Sequence, residues 1–107
     1  MELNQYTIIL VNLDPTVGSE IQKTRPCVIL SPQEMINTLN TVTVAPLTTA
    51  NKRYPTRVPI HFQSKNGFIA LDQIRTVDKS RIVRIFDTAT PKTQKHLKEV
   101  LFDMLVA

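Results

Sequence analysis

The chain has 107 residues, 42% of them hydrophobic, and its thirteen lysines and arginines against nine aspartates and glutamates give a formal charge of +4. That length suits one domain, residues 1–107, with a modest core, so pairing with a second copy is a natural way to add buried area. The hydrophobic content excludes a disordered chain. No apolar run approaches the ~20 residues of a membrane span, and Met1–Gln5 lacks the basic and apolar regions of a signal peptide. The single cysteine, Cys27, precludes an internal disulfide and fits a reducing cytoplasm. Its place in an apolar strand-like run reads as core rather than nucleophile. The positive balance hints at an anionic partner. Lys23, Arg25, Lys52, Arg53, Arg57 and Lys65 fall in loop-like stretches, where the same charges also describe an ordinary solvated surface.

Residues 6–13, Tyr-Thr-Ile-Ile-Leu-Val-Asn-Leu, are rich in β-branched and aromatic side chains and predict a strand. Residues 14–25 follow as a polar loop longer than a hairpin needs, and long loops in small domains tend to carry function. Residues 26–31 predict a second, apolar strand. Ser31-Pro32-Gln33-Glu34 reads as a helix start, with Ser31 as N-cap, Pro32 as first helical residue and Glu34 closing a capping box; the helix ends near Leu39-Asn40. Residues 41–47 predict a strand and 48–55 a basic loop. Residues 56–62 alternate at period two, with Pro59 marking an edge or bulge.

Asn66-Gly67 reads as a hairpin turn into Phe68–Leu71, and residues 80–86 as one more strand. Thr90-Pro91 caps a last helix whose Leu97, Val100, Leu101, Met104 and Leu105 form one apolar face, with Lys92, Lys95, Lys98 and Glu99 in solvent. The sum is about six strands and two helices, mainly β with α: a strongly bent antiparallel sheet or partial barrel, with a short helix after the second strand and a C-terminal helix packed on it.

Standard catalytic constellations are absent. Two glycines allow no phosphate-binding glycine loop. His61 and His96 stand far apart in sequence without neighbouring cysteines or paired carboxylates, which argues against a metal centre and predicts no cofactor. An arginine and a hydroxyl remain. Arg25 ends the long loop just before Pro26, and its planar fork suits a phosphate, although a surface ion pair with Glu20 or Asp14 is the competing reading. Thr48-Thr49 end another strand, where a hydroxyl can donate to a phosphate oxygen or satisfy a local backbone group. RNA carries its own nucleophile, the 2′-hydroxyl, so its cleavage requires no metal and no covalent intermediate.

Taken together, Val11-Asn12-Leu13-Asp14-Pro15-Thr16-Val17-Gly18-Ser19-Glu20, Lys23-Thr24-Arg25-Pro26, Val44-Ala45-Pro46-Leu47-Thr48-Thr49, Tyr54-Pro55-Thr56-Arg57-Val58 and Leu71-Asp72-Gln73-Ile74-Arg75-Thr76-Val77-Asp78 resemble, in order and spacing, the MazF/PemK family of toxin endoribonucleases. The resemblance implies an SH3-like barrel and a cytoplasmic homodimer without cofactor. It implies metal-independent, sequence-specific cleavage of single-stranded RNA that leaves 2′,3′-cyclic phosphate and 5′-hydroxyl ends. It also implies a cognate antitoxin whose disordered segment lies in the RNA groove of the dimer. On this resemblance Arg25 and Thr48 are the catalytic pair, with Arg25 able to pass a proton to the leaving oxygen, and Glu20 is a base or RNA contact. Thr16, Ser19, Lys23, Thr49, Asn51, Lys52, Arg53, Gln73 and Arg75 are the RNA-binding candidates.

The sequence departs from the pattern in two places. Asn4-Gln5-Tyr6 replaces an Arg-Gly-Asp triplet, and Ala70 stands where the PemK branch has a second arginine, which favours the MazF-type pair. Two alternatives stay open: a gyrase-binding toxin of the CcdB type, which shares the fold, and a module that binds RNA or antitoxin without cleaving.

Overall fold

A computed structural model describes residues 2–15, 17–20, 23–50 and 52–106. Its strands are β1 (Thr7–Asn12), β2 (Thr24–Ile29), β3 (Thr41–Thr48), β4 (Arg57–Phe62), β5 (Lys65–Ala70), β6 (Arg75–Asp78) and β7 (Ile82–Thr88). Helix α1 (Gln33–Thr38) follows β2, and α2 (Pro91–Leu105) follows β7. One-turn 3-10 segments, Leu71–Gln73 and Lys79–Arg81, flank β6.

The strands run in the order β4-β5-β3-β2-β1-β7, with β6 added to β3. One edge of β3 is shared. Its first half, Thr41–Val44, pairs with β6, and its end, Leu47 and Thr48, pairs with β5. Two strands in succession on this side make β3 the joint between the β4–β5 hairpin and the rest of the sheet. The sheet curls into the expected SH3-like partial barrel.

Period-two alternation sends side chains from the same strands to two cores. Ile8, Val28, Ala45, Leu47, Val58, Ile60 and Ile69 face one, which Leu97, Val100 and Leu101 of α2 cover. Ile9, Val11, Cys27, Ile29, Val42 and Val44 face the other, closed by Ile36 of α1 and Val77 of β6. Burial pushes the Cys27 thiol up to about 12 against the opposing charge of Arg75, so this cysteine is inert core as expected.

Several expectations need correction. Strand β2 begins at Thr24, not Pro26: Thr24 pairs with Asn12 and Arg25 with Val11, so Arg25 lies inside a strand instead of ending the loop. Ser31 does not cap α1. Its hydroxyl accepts the Thr43 amide at 2.8 Å, and Pro32 occupies the cap position without a side-chain hydrogen bond. A buried serine beside a sheet edge serves the sheet first.

The β4–β5 turn is Gln63-Ser64, both at positive φ (50° and 62°), while Asn66-Gly67 lies within β5. The register explains the choice: it sets Val58 opposite Ile69, both fully buried. A turn at Asn66-Gly67 would forfeit that pair, and register follows buried pairs before turn preference. Strand β6 was not anticipated because only Val77 of its four residues is buried.

Pro59 does lie on an edge strand, since β4 ends the sheet. Thr90 does cap α2, its hydroxyl accepting the Thr93 amide at 3.3 Å. Met104 and Leu105 are exposed, however, so the last turn of the 15-residue helix contributes no apolar side chain to the core. No described helix is long and apolar enough to cross a membrane.

Leu97 is fully buried where α2 meets the sheet. Leu97→Ala is therefore expected to cost about 2–5 kcal/mol in urea unfolding, as core leucine truncations do. A change under ~1 kcal/mol would mean that α2 is not integral to this core.

Candidate active site

The β2–β3 ladder ends at Cys27 opposite Pro46. Carried two residues further, that register sets Arg25 across from Thr48. Both strands continue to this point but with other partners: Arg25 pairs with Val11 of β1, and Thr48 with Phe68 of β5. Between the parting strands lies a cavity of about 190 Å³, lined by Arg25, Pro26, Leu47, Thr48 and Thr49 and closed by Phe62, Lys65, Asn66 and Gly67 of the β4–β5 hairpin.

Gly67 is what lets the hairpin come this close. A Cβ placed there would meet the Thr48 carbonyl oxygen at 2.9 Å. Thr48 Oγ1 accepts the Ala50 amide at 3.1 Å, the local role foreseen for it. A hydroxyl that accepts a backbone amide still has its own hydrogen to donate, so both roles are compatible.

A second cavity of about 210 Å³ lies beside Pro46, on the same face of β3 as Thr48 and two residues before it. It brings together Glu20, Gln73 and Arg75 with Leu13 and Asp72. Glu20 Oε1 accepts the Val17 amide at 2.7 Å, which folds the loop tip on itself. Arg75 donates to the Leu13 carbonyl at 2.8 Å.

Asp72 is bound by Arg57, through Nε at 2.8 Å and Nη2 at 3.1 Å, and by the Thr56 hydroxyl at 3.1 Å. Burial raises its carboxyl, but these hydrogen bonds and the Arg57 charge outweigh that and hold it below the usual carboxylate value. So engaged, Asp72 is a poor proton acceptor. It is a structural anchor between the start of β4 and the turn before β6.

The twelve sequence candidates thus divide by place. Arg25, Thr48 and Thr49 share the first cavity, and Glu20, Gln73 and Arg75 the second. Ser19 and Lys23 on the loop, and Lys52 and Arg53 after β3, are exposed and line neither. Thr16 and Asn51 lie outside the described residues. Sequence reasoning missed Phe62, Lys65 and Asn66. Reading Asn66-Gly67 as a turn hid them, whereas the buried Val58–Ile69 pair would have placed Phe62 at the end of β4 and Lys65 and Asn66 at the start of β5.

A wider groove of about 1100 Å³ opens beyond the hairpin, beside His61 and His96, but includes neither Arg25 nor Thr48. Its His61 Nδ1 lies 2.8 Å from Asn66 Oδ1. Among the described residues, no three His, Cys, Asp or Glu side chains converge as metal ligands.

The fold and the two-strand cleft define a small half-barrel with a basic, hydroxyl-bearing pocket at the mouth. Residues 4–105 match the family described as PemK-like, MazF-like toxin of type II toxin-antitoxin system, and the chain belongs to that family. It is 37% identical over 70 residues to the endoribonuclease toxin MazF of Escherichia coli strain K12. That match spans 65% of this chain and 63% of the relative.

The fold superposes on MazF from Deinococcus radiodurans with a TM-score of 0.85, at 22% identity, covering 98% of this chain and 97% of the other. A mycobacterial endoribonuclease in complex with its cognate antitoxin superposes with a TM-score of 0.82 at 20% identity, covering 97% and 95%.

Two measurements check this geometry. Gly67→Ala is expected to lower stability by about 1–3 kcal/mol, as overpacking does, and to move the amide resonances of Leu47 and Thr48. An unchanged spectrum would mean that β5 does not press on Thr48. For the Arg57–Asp72 pair, a carboxyl held low in the folded state stabilises above the unfolded value of about 4 and loses that contribution as pH falls through the folded value. The stability deficit of Asp72→Asn is therefore expected at pH 6 and should shrink steadily on acidification below ~4. A deficit independent of pH would show that the pair is not the cause.

Proposed function

We propose that the protein is a sequence-specific, metal-independent endoribonuclease toxin of a toxin–antitoxin pair, acting on single-stranded RNA. The observation that carries this reading is the placement of Arg25 and Thr48 in one cavity where β2 and β3 part. It agrees with family membership and with the name of the Escherichia coli relative.

In this mechanism the scissile phosphate sits between the two strands. The 2′-oxygen attacks phosphorus, the bond to the 5′-oxygen breaks, and the products are a 2′,3′-cyclic phosphate and a 5′-hydroxyl. Arg25 binds the phosphate with its guanidinium fork and stabilises the charge that builds on the pentacoordinate phosphorus. Thr48 donates its hydroxyl hydrogen to a non-bridging oxygen. Glu20, at the adjoining cavity, is assigned to accept the 2′-hydroxyl proton. The 5′-oxygen takes its proton from water, because a guanidinium is too weak an acid to be the readier donor.

Lys65 joins Thr49 at the phosphate cavity. Gln73 and Arg75 contact the neighbouring nucleotide, and Ser19, Lys23, Lys52 and Arg53 contact the flanking RNA backbone.

The active form in this reading is a cytoplasmic homodimer. Its support is the small core of a 107-residue chain and the exposed Phe102, Leu105 and Val106 at the C-terminal end of α2. A cognate antitoxin lays a disordered segment across the RNA groove. Solved relatives include a toxin with its cognate antitoxin, which supports such a partner here.

The test is incubation of purified protein with mixed-sequence RNA in EDTA, followed by mapping of the cut ends. Cleavage is expected to persist, to leave cyclic phosphate, and to fall by roughly 100-fold or more in Arg25→Ala, the loss typical of removing a donor to developing charge. A folded protein that cuts no RNA overturns the proposal. If it still binds RNA in a salt-sensitive manner, it is a binding module instead.

A further inference from the structure

Three consecutive backbone carbonyls at the end of β1 receive arginine donors from distant sequence. Arg75 Nη1 donates to the Leu13 carbonyl at 2.8 Å. Arg81 Nη1 donates to the Asn12 carbonyl at 3.2 Å and also to the Asp14 carbonyl. Arg81 is only partly exposed and lies in the 3-10 turn between β6 and β7. The Asp78 carboxylate accepts the Ser80 amide at 2.8 Å and so fixes the start of that turn.

From Asp14 the contacts continue toward Arg25. The Asp14 carboxylate accepts the Lys23 amide at 2.9 Å, and the Leu13 amide donates to the Lys23 carbonyl at 3.0 Å. Lys23 has a positive φ of 70° and leads directly into Thr24 and Arg25. A non-glycine residue holds that backbone conformation only where its surroundings fix it. Here the fixing partner is Asp14, and Asp14 is in turn held by Arg81.

We propose that Arg81 is a positioning residue for RNA cleavage: through the Asp14 carbonyl and the Asp14–Lys23 contacts it sets the strand entry that aims Arg25 at the phosphate. The inference rests on the endoribonuclease reading given above. It assigns Arg81 no contact with RNA. A cation that donates to two backbone carbonyls holds their geometry, and a small displacement of a phosphate-binding arginine is costly because its worth depends on alignment with the transition state.

The expected signature is in kcat. Arg81→Ala lowers kcat by roughly 10- to 100-fold, as a displacement of about 1 Å at a reacting group does, with KM changed less than ~3-fold. Arg81→Lys, which keeps one donor, recovers most of the rate. In an Arg25→Ala background, Arg81→Ala produces no further loss, because it acts through Arg25. Arg84→Ala removes the same charge from the neighbouring strand and leaves kcat at the wild-type value.

The slope of log binding constant against log salt, measured with a 2′-deoxy uncleavable oligonucleotide, is the same for Arg81→Ala and wild type. A slope reduced by about one means a direct phosphate contact and overturns the proposal. So does wild-type kcat in Arg81→Ala, or losses that multiply in the double variant. Should the wild-type protein cut no RNA, the endoribonuclease reading fails by itself. The link is then read from hydrogen exchange at the Lys23 amide. Exchange accelerated about tenfold or more in folded Arg81→Ala supports it, because that amide is protected by Asp14, and unchanged exchange overturns it.

Discussion

The structure depends on the way β3 is shared. Its eight residues pair with β2 along one edge, and along the other with β6 first and β5 afterwards. Strand β3 thereby joins the β4–β5 hairpin to the rest of the sheet, and the sheet curls at it. The curl gives β1, β2 and β3 two buried faces and so two cores from one layer of backbone. It also brings the β4–β5 hairpin around to the end of β3, where Gly67 abuts the Thr48 carbonyl. The cavity beside Thr48 is a consequence of that curl, not a separate feature of the loops.

The basic residues serve two different purposes, which net charge alone does not separate. Arg75, Arg81 and Lys79 each donate to backbone carbonyls, the last to Ile36 at the end of α1. Arg57 is bound bidentate to Asp72. These four cations hold segments that have no regular ladder: the end of β1, the end of α1 and the turn before β6. A charged donor to a carbonyl contributes more than a neutral one, about 1.5–3 kcal/mol, which suits a small chain whose irregular segments need fixing. Lys23, Lys52, Arg53 and Lys65 are exposed instead. Arg84 on β7 and Lys92, Lys95 and Lys98 on α2 are exposed as well, so the exposed positive charge is not confined to the parted strands.

Much of this was legible in the sequence, and what was not has identifiable causes. Strands β1, β3 and β4 announce themselves because each carries several buried β-branched residues at fixed spacing. Helix α2 does so by its Thr90-Pro91 start and its apolar stripe. Strand β6 is invisible because one buried valine in four residues makes no period. Ser31 and Asn66-Gly67 misled for a shared reason: local rules favour a cap and a turn there, but tertiary partners claim both. Thr43 takes the Ser31 hydroxyl, and the closeness of β5 to Thr48 takes the glycine. At the site, Arg25 and Thr48 are chemically suggestive in the sequence, yet their being neighbours is a matter of register, which no local pattern encodes. The resemblance to a known family supplied that pairing before the strands did.

The position of the cleft has a backbone cause. Pro26 and Pro46 both lie in interior strands, where proline is uncommon because it offers no ladder donor. Pro46 stands opposite Cys27 in the last β2–β3 pair, and Pro26 is the next residue of β2 toward Arg25. Successive positions of an antiparallel ladder alternate in hydrogen bonding, so one of the two prolines withholds its amide from the β2–β3 ladder at the point where the strands separate. Beyond it, Arg25 and Thr48 are each secured by an outer neighbour, β1 and β5 respectively. The pair is thereby held on rigid strands while the space between them stays open. In the proposed reaction the ligand brings its own nucleophile, so the protein's part is to align a phosphate between two groups, and Arg25 and Thr48, each paired to an outer strand, suit that part.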